Sequence, residues 1–171
     1  MKPPLLQGAP DDFQTPPQAI LPLLKYLKPK SLIWEPACGE GMMVDALESH
    51  GFKVIATDLY ADPSYNFLTW EPMQNYKYII TNPPYSKKQQ FLERCYELKM
   101  PFALLLPLTT FETGKRQALF KEHGVEVIFF DKRINFVTPN KTGKSAWFAT
   151  SWFTWGLGVG QALTFEHLEA A

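Results

Sequence analysis

The amino-acid sequence predicts an α/β fold: a mostly parallel sheet with helices on both faces. Short apolar runs alternate with segments of helical periodicity along most of the chain. Several of those runs, such as residues 102–106 and 125–130, are apolar at nearly every position, the pattern of strands covered on both sides. At 171 residues the chain suits a single domain, residues 1–171, built around one core.

The elements follow in order. Residues 1–15, rich in Pro, Gln, Gly and Asp, read as an irregular arm. A helix is predicted after Thr15, with Thr15 as N-cap, Pro16 in the first helical position, and Ile20, Leu23, Leu24 and Leu27 on one face. Residues 31–35 form an apolar strand and 36–41 a turn, and a helix through Met42, Met43, Ala46 and Leu47 ends at Gly51. A second strand spans residues 52–57. Residues 76–81 form a strand that must stop at Pro83 and Pro84, which have no N–H to give a ladder. Helix 89–98, strand 102–106, helix 115–123 and strand 125–130 continue the alternation. Residues 133–145 are polar, and the aromatic run 146–155 predicts a last antiparallel strand or hairpin whose rings serve packing. Residues 156–171 read as a C-terminal tail.

Composition narrows the function. The chain is 46% hydrophobic and 20% charged, which excludes a largely disordered protein. Its uncharged apolar stretches fall well short of the roughly 20 residues that a spanning helix needs, and no secretory leader is visible at the N-terminus. A cytoplasmic protein without a membrane partner is expected. Cys38 and Cys95 read as free thiols, and His50, His123 and His167 lack metal-ligand spacing, so no metal is expected. Net charge is zero, but residues 86–144 hold 11 basic against 6 acidic side chains, a local excess of five. Such an excess is either ordinary solvated surface or one basic face for a nucleic acid.

Three constellations carry chemistry. Glu35-Pro36-Ala37-Cys38-Gly39-Glu40-Gly41 lies between a strand and a helix, where glycines permit a tight turn and close backbone approach to a ligand. It is not a dinucleotide fingerprint, because Val44 replaces the third glycine, and Gly143-Lys144-Ser145 is not a P-loop, because Thr138 replaces its first. Asp58 closes the next strand about 20 residues later, a position for a ribose-binding carboxylate or a turn-forming aspartate. Asn82-Pro83-Pro84-Tyr85 ends another strand. It is either a strand terminator or a rigid pair of acceptors, the Asn oxygen and the Pro83 carbonyl, beside an aromatic face that suits a planar amine.

Together these motifs resemble class I S-adenosylmethionine-dependent methyltransferases, and among them the amino-methyltransferases of nucleic-acid bases, closest to small phage-type DNA N6-adenine enzymes. The resemblance covers about residues 13–155. It implies a Rossmann-like, doubly wound, seven-stranded sheet, S-adenosylmethionine as cofactor, S-adenosylhomocysteine as product and no metal. Phe13-Gln14-Thr15-Pro16 matches the family's Phe-x-Thr-Pro element, which implies cofactor contacts for Thr15 and Pro16. Glu35, Pro36, Ala37, Gly39 and Gly41 match its cofactor loop, and Asp58 its ribose acid. Asn66 and Phe67 stand where relatives have Asp-Phe beside the cofactor adenine.

Asn82, Pro83, Pro84 and Tyr85 match the catalytic tetrapeptide in full, which implies that Asn82 and the Pro83 carbonyl orient the target amine. Tyr85 and Phe136 would then sandwich the extruded base. Lys87, Lys88, Lys132, Arg133, Lys141 and Lys144 are candidate phosphate contacts. The implied substrate is DNA adenine, with cytosine N4, RNA bases and, less favoured, protein glutamine as alternatives. A cofactor- or nucleic-acid-binding subunit without activity is the non-enzyme alternative. A catalytic sheet that occupies the whole chain leaves no separate target-recognition domain, so low sequence specificity, or specificity supplied by a partner protein, is expected.

Overall fold

A computed structural model describes residues 13–137 and 148–171. The strands are β1 (Leu32–Glu35), β2 (Lys53–Ala56), β3 (Tyr78–Thr81), β4 (Phe102–Pro107), β5 (Glu126–Phe130), β6 (Thr150–Trp155) and β7 (Leu163–Glu166). They form one seven-stranded sheet in the order β2-β1-β3-β4-β6-β5-β7. All pairings are parallel except the two made by β6, which runs against β4 and β5. The predicted mostly parallel sheet with an antiparallel C-terminal strand is therefore present.

The helices α2 (Met42–Ser49), α3 (Lys88–Leu98) and α4 (Gly114–His123), with a short α1 (Leu21–Leu24), cover the sheet. Alternate strand residues feed two cores. Ile33, Ile80, Ala103, Leu105, Ile128 and Trp152 pack with Ile20, Leu23, Met43 and Leu47 on one face. Their neighbours Trp34, Ile79, Phe102, Leu104, Leu106, Val127 and Phe153 pack with Phe91, Leu92 and Cys95 of α3 on the other. A strand with a partner on both faces must be apolar at successive positions, which is why β4 is buried throughout. The aromatic run follows the packing expectation where it is described: Trp152 and Phe153 are fully buried and Trp155 packs at the edge of the second core, while Trp147 lies outside the described residues.

Two segments differ from expectation. Thr15 is not an N-cap: Pro16 caps a 3-10 turn, Pro17–Ile20, which runs into the four-residue α1. Pro22 has no N–H, so a longer helix running through it would lack a donor where its ladder needs one. The second difference is at the C-terminus. Part of the expected tail is β7, paired with β5 from Val127↔Leu163 to Phe130↔Glu166, and Leu168 beyond it is buried. In β7 the apolar Leu163 and Phe165 face solvent while Thr164 and Glu166 are half-buried. The apolar/polar alternation of Leu163–Glu166 is that of a strand, with the usual burial inverted. Among the described residues no helix is long and apolar enough to cross a membrane.

Candidate active site

The chain leaves β1 toward β2 on one side and returns to β3 on the other, so the order of the sheet reverses between β1 and β3. A crevice must open above the C-terminal ends of strands at such a point. Glu35 ends β1 there, and Asn82 follows directly on β3. The crevice is a cavity of about 720 Å³, lined among others by Thr15, Glu35, Gly39, Asp58, Phe67 and Asn82. That volume suits a ligand of cofactor size.

The glycine loop is held in place by its neighbours. Gly39 (φ +51°) and Gly41 (φ +88°) occupy the left-handed region, which a side chain disfavours. At Gly39 a Cβ would also lie 2.5 Å from Nε2 of Gln14. The Gly39 N–H donates to Oδ2 of Asp58 at 2.9 Å, and the Tyr60 N–H donates to Oδ1 of the same carboxylate at 2.8 Å. Asp58 therefore ties the loop to the end of β2. The Glu40 N–H donates to Oε1 of Gln14 at 3.2 Å, which clamps the loop from the N-terminal side.

Glu35 is buried, and its Oε1 accepts the Ala37 N–H at 3.0 Å. Burial pushes its carboxyl up to about 8; hydrogen bonds from Thr81 and the Ala37 N–H act against this, and the Asp58 charge adds to it. No Lys or Arg among the described residues forms an ion pair with it. Burial also pushes the Cys38 thiol up to about 11, so this cysteine stays protonated and is not a nucleophile at neutral pH.

On the β3 side, Nδ2 of Asn82 donates to the backbone carbonyl of Phe13 at 2.8 Å. That bond fixes which way the amide faces. Oδ1 of Asn82 is then a buried acceptor without a partner among the described residues. Tyr85 belongs to an aromatic group: its ring lies nearly parallel to that of Phe13, with centroids 6.2 Å apart at 20°, and Phe148 stands edge-on to both.

Solved structures that match this fold include two with a TM-score above 0.5. A modification subunit of a proposed type I restriction enzyme from Vibrio vulnificus YJ016 is 12% identical over 94% of this chain and 48% of its own, with a TM-score of 0.56. A proposed class I S-adenosylmethionine-dependent methyltransferase from Listeria monocytogenes is 13% identical over 92% of this chain and 66% of its own, with a TM-score of 0.60. This is the class I methyltransferase fold. The chain spans about half the length of the first relative and about two thirds of the second. No protein-family model matches the sequence, and no curated protein matches it.

Within this methyltransferase fold most of the expected cofactor residues meet in one place. Thr15, Glu35, Pro36, Ala37, Gly39, Asp58, Asn66 and Phe67 all line the cavity. Pro16 and Gly41 do not: Pro16 caps the first 3-10 turn and Gly41 caps α2. Asn66 spends Oδ1 on the Leu68 N–H at 3.1 Å, which leaves its NH2 group as the donor toward the cavity. Asn82 and Pro84 line the cavity, Pro83 is buried beneath, and Tyr85 faces the aromatic group.

The expected substrate residues separate. Lys87 lines the cavity and Lys132 and Arg133 are exposed, but Nζ of Lys88 donates to the Tyr85 carbonyl at 3.0 Å and so braces the tetrapeptide. Phe136 is 92% buried and meets Phe13, not the cavity. Lys141 and Lys144 lie outside the described residues. Sequence reasoning missed three residues at the site: Gln14, the ring of Phe13, and Phe148. Gln14 and Phe13 sit inside a motif that was read for its Thr and Pro, and Phe148 inside an aromatic run read as packing. Among the described residues no group of His, Cys, Asp and Glu could hold a metal.

Proposed function

We propose that this chain is an S-adenosylmethionine-dependent methyltransferase acting on the exocyclic amine of a nucleic-acid base, with adenine N6 of DNA as the substrate. The observation that carries the reading is the oriented amide of Asn82. With Nδ2 committed to Phe13, Oδ1 is left as a buried acceptor that lacks a donor among the described residues. An unsatisfied buried acceptor costs about 1–3 kcal/mol, and a primary aromatic amine supplies the missing N–H. The likeness in fold to a restriction-enzyme modification subunit agrees with a nucleic-acid substrate.

The cavity residues fit the cofactor. Glu35, a buried carboxyl with no cationic partner among the described residues, suits an ammonium group, and Asp58 suits a pair of ribose hydroxyls. The Asn66 amide and the Phe67 ring suit a planar base, and the bare backbone at Gly39 lets a ligand approach closely. When bound, the cofactor supplies an electrophilic methyl group on a sulfonium.

The protein's part is orientation. An adenine amine is a poor nucleophile because its lone pair is delocalised into the ring. Oδ1 of Asn82 and the Pro83 carbonyl accept its two N–H bonds and draw that lone pair out of conjugation. The two prolines keep these acceptors rigid, so little reorganisation is needed at the moment of reaction. The base is either extruded from a duplex or already single-stranded, with its face on Tyr85. Lys87, Lys132 and Arg133 serve the phosphates, so binding weakens steeply with salt.

The test is incubation with tritiated cofactor and a panel of DNA, RNA and release-factor substrates, followed by nucleoside mass spectrometry. N6-methyladenine in DNA is the expected product. Exclusive N4-methylcytosine, or methylated glutamine, would overturn the substrate assignment.

A further inference from the structure

We propose that Phe13 is the second aromatic wall of the substrate subsite, beside Tyr85, and that Phe136 is a packing residue outside it. The inference rests on the amine-base reading above and goes beyond it by replacing the residue that the sequence suggests for this role. Phe136 is 8% exposed and meets Phe13 at 5.7 Å and 62°, so its ring is used up in packing. Phe13 is half-buried, lines the cavity, and lies nearly parallel to Tyr85. Phe148 closes the group at right angles to both rings, at 5.9 Å from Phe13 and 5.7 Å from Tyr85.

The backbone of Phe13 makes the assignment specific. Its carbonyl is the group that turns the Asn82 amide, so the amine acceptor and this ring are parts of one unit. The unit is anchored on both sides. Gln14 exchanges two backbone hydrogen bonds with Val137, at 2.9 and 3.0 Å, and its side chain holds Glu40 in the glycine loop. Phe13 thus stands where the cofactor side and the substrate side of the cavity meet.

The test compares Phe13→Leu, Phe13→Trp and Phe136→Leu with the wild type, measuring kcat and KM for an adenine-containing single-stranded oligonucleotide, and cofactor affinity by calorimetry. For Phe13→Leu we expect kcat/KM to fall roughly 5- to 100-fold with cofactor affinity within about threefold, for Phe13→Trp a recovery, and for Phe136→Leu a change within about threefold, as a lost base-stacking face requires. Unchanged kcat/KM in Phe13→Leu, an equal loss in Phe136→Leu, or a matching loss of cofactor affinity overturns this inference while leaving the amine-base reading intact. A wild-type protein that methylates no nucleic acid overturns that reading, and this one with it.

Discussion

The side-chain amide of Asn82 donates to the backbone carbonyl of Phe13 at 2.8 Å, across 69 positions of sequence. This one bond fixes which face of the amide is turned inward: the acceptor that the proposed reaction calls for, where the opposite orientation would offer a donor.

Asn82→Ala should lower methyl transfer about 100- to 1000-fold, the usual loss for one preorganised hydrogen-bonding group, while cofactor affinity stays within a few-fold. Asn82→Asp should be equally inactive although it keeps an acceptor oxygen, because a carboxylate cannot donate to Phe13. A single-turnover assay beside a calorimetric titration checks both, and wild-type rates in either variant refute the role.

For Asp58→Ala the loss falls on cofactor binding. Its carboxylate accepts from Gly39 and Tyr60, so removing it frees the loop as well as deleting a ligand contact. Affinity should weaken roughly 10- to 100-fold, in line with the loss of a charge-assisted hydrogen bond. Calorimetry reads this directly, and an unchanged dissociation constant would remove Asp58 from the site.

Gly39→Ala should destabilise the protein by about 1–2 kcal/mol, because the residue sits at φ +51° and its new methyl meets Gln14. Gln14→Ala in the same chain removes the clash but not the backbone strain, so it should restore only part of the loss of melting temperature. Full restoration would place the whole cost in the clash.

Glu35 makes stability depend on pH. Its folded carboxyl is raised from 4.5 to about 8, so the folded state holds a proton that the unfolded chain gives up. Stability is therefore fully present below pH 4.5 and declines as pH rises from there through 8, by on the order of 5 kcal/mol for a shift of this size. Thermal unfolding followed from pH 5 to pH 9 should show the decline, and Glu35→Gln should flatten it while keeping an acceptor for the Ala37 N–H. A parallel decline in the variant would assign the dependence to other groups.

Much of the framework was legible in the sequence because its causes are local. Apolar runs broken by Gly39, Gly41 and the paired prolines are enough to place β1, β3 and the turns that follow them. The two-faced burial of β4 shows as an unbroken apolar run for the same reason. What was not legible depends on contacts between distant segments. Nothing near Gln14 says that its side chain will reach Glu40, or that Val137 will pair with its backbone. Phe136 and Phe148 look alike in sequence, yet burial removes one from the site and leaves the other beside Tyr85. Strand β7 is only four residues long, and what makes it a strand is its pairing with the distant β5.

The reversed strand β6 has a consequence for assembly. Strand β5 reaches β4 and the strands beyond it only through β6, since β4 and β5 are not neighbours. A chain emerging from synthesis can therefore join β2, β1, β3 and β4, and so form the loop side of the cavity, before residues 150–155 exist. Until they arrive, β5 has no strand to lean on, and the segment that carries Phe136 and Val137 has no fixed origin. The half of the cavity nearest Phe13 is completed last, by a strand inserted from the far end of the chain.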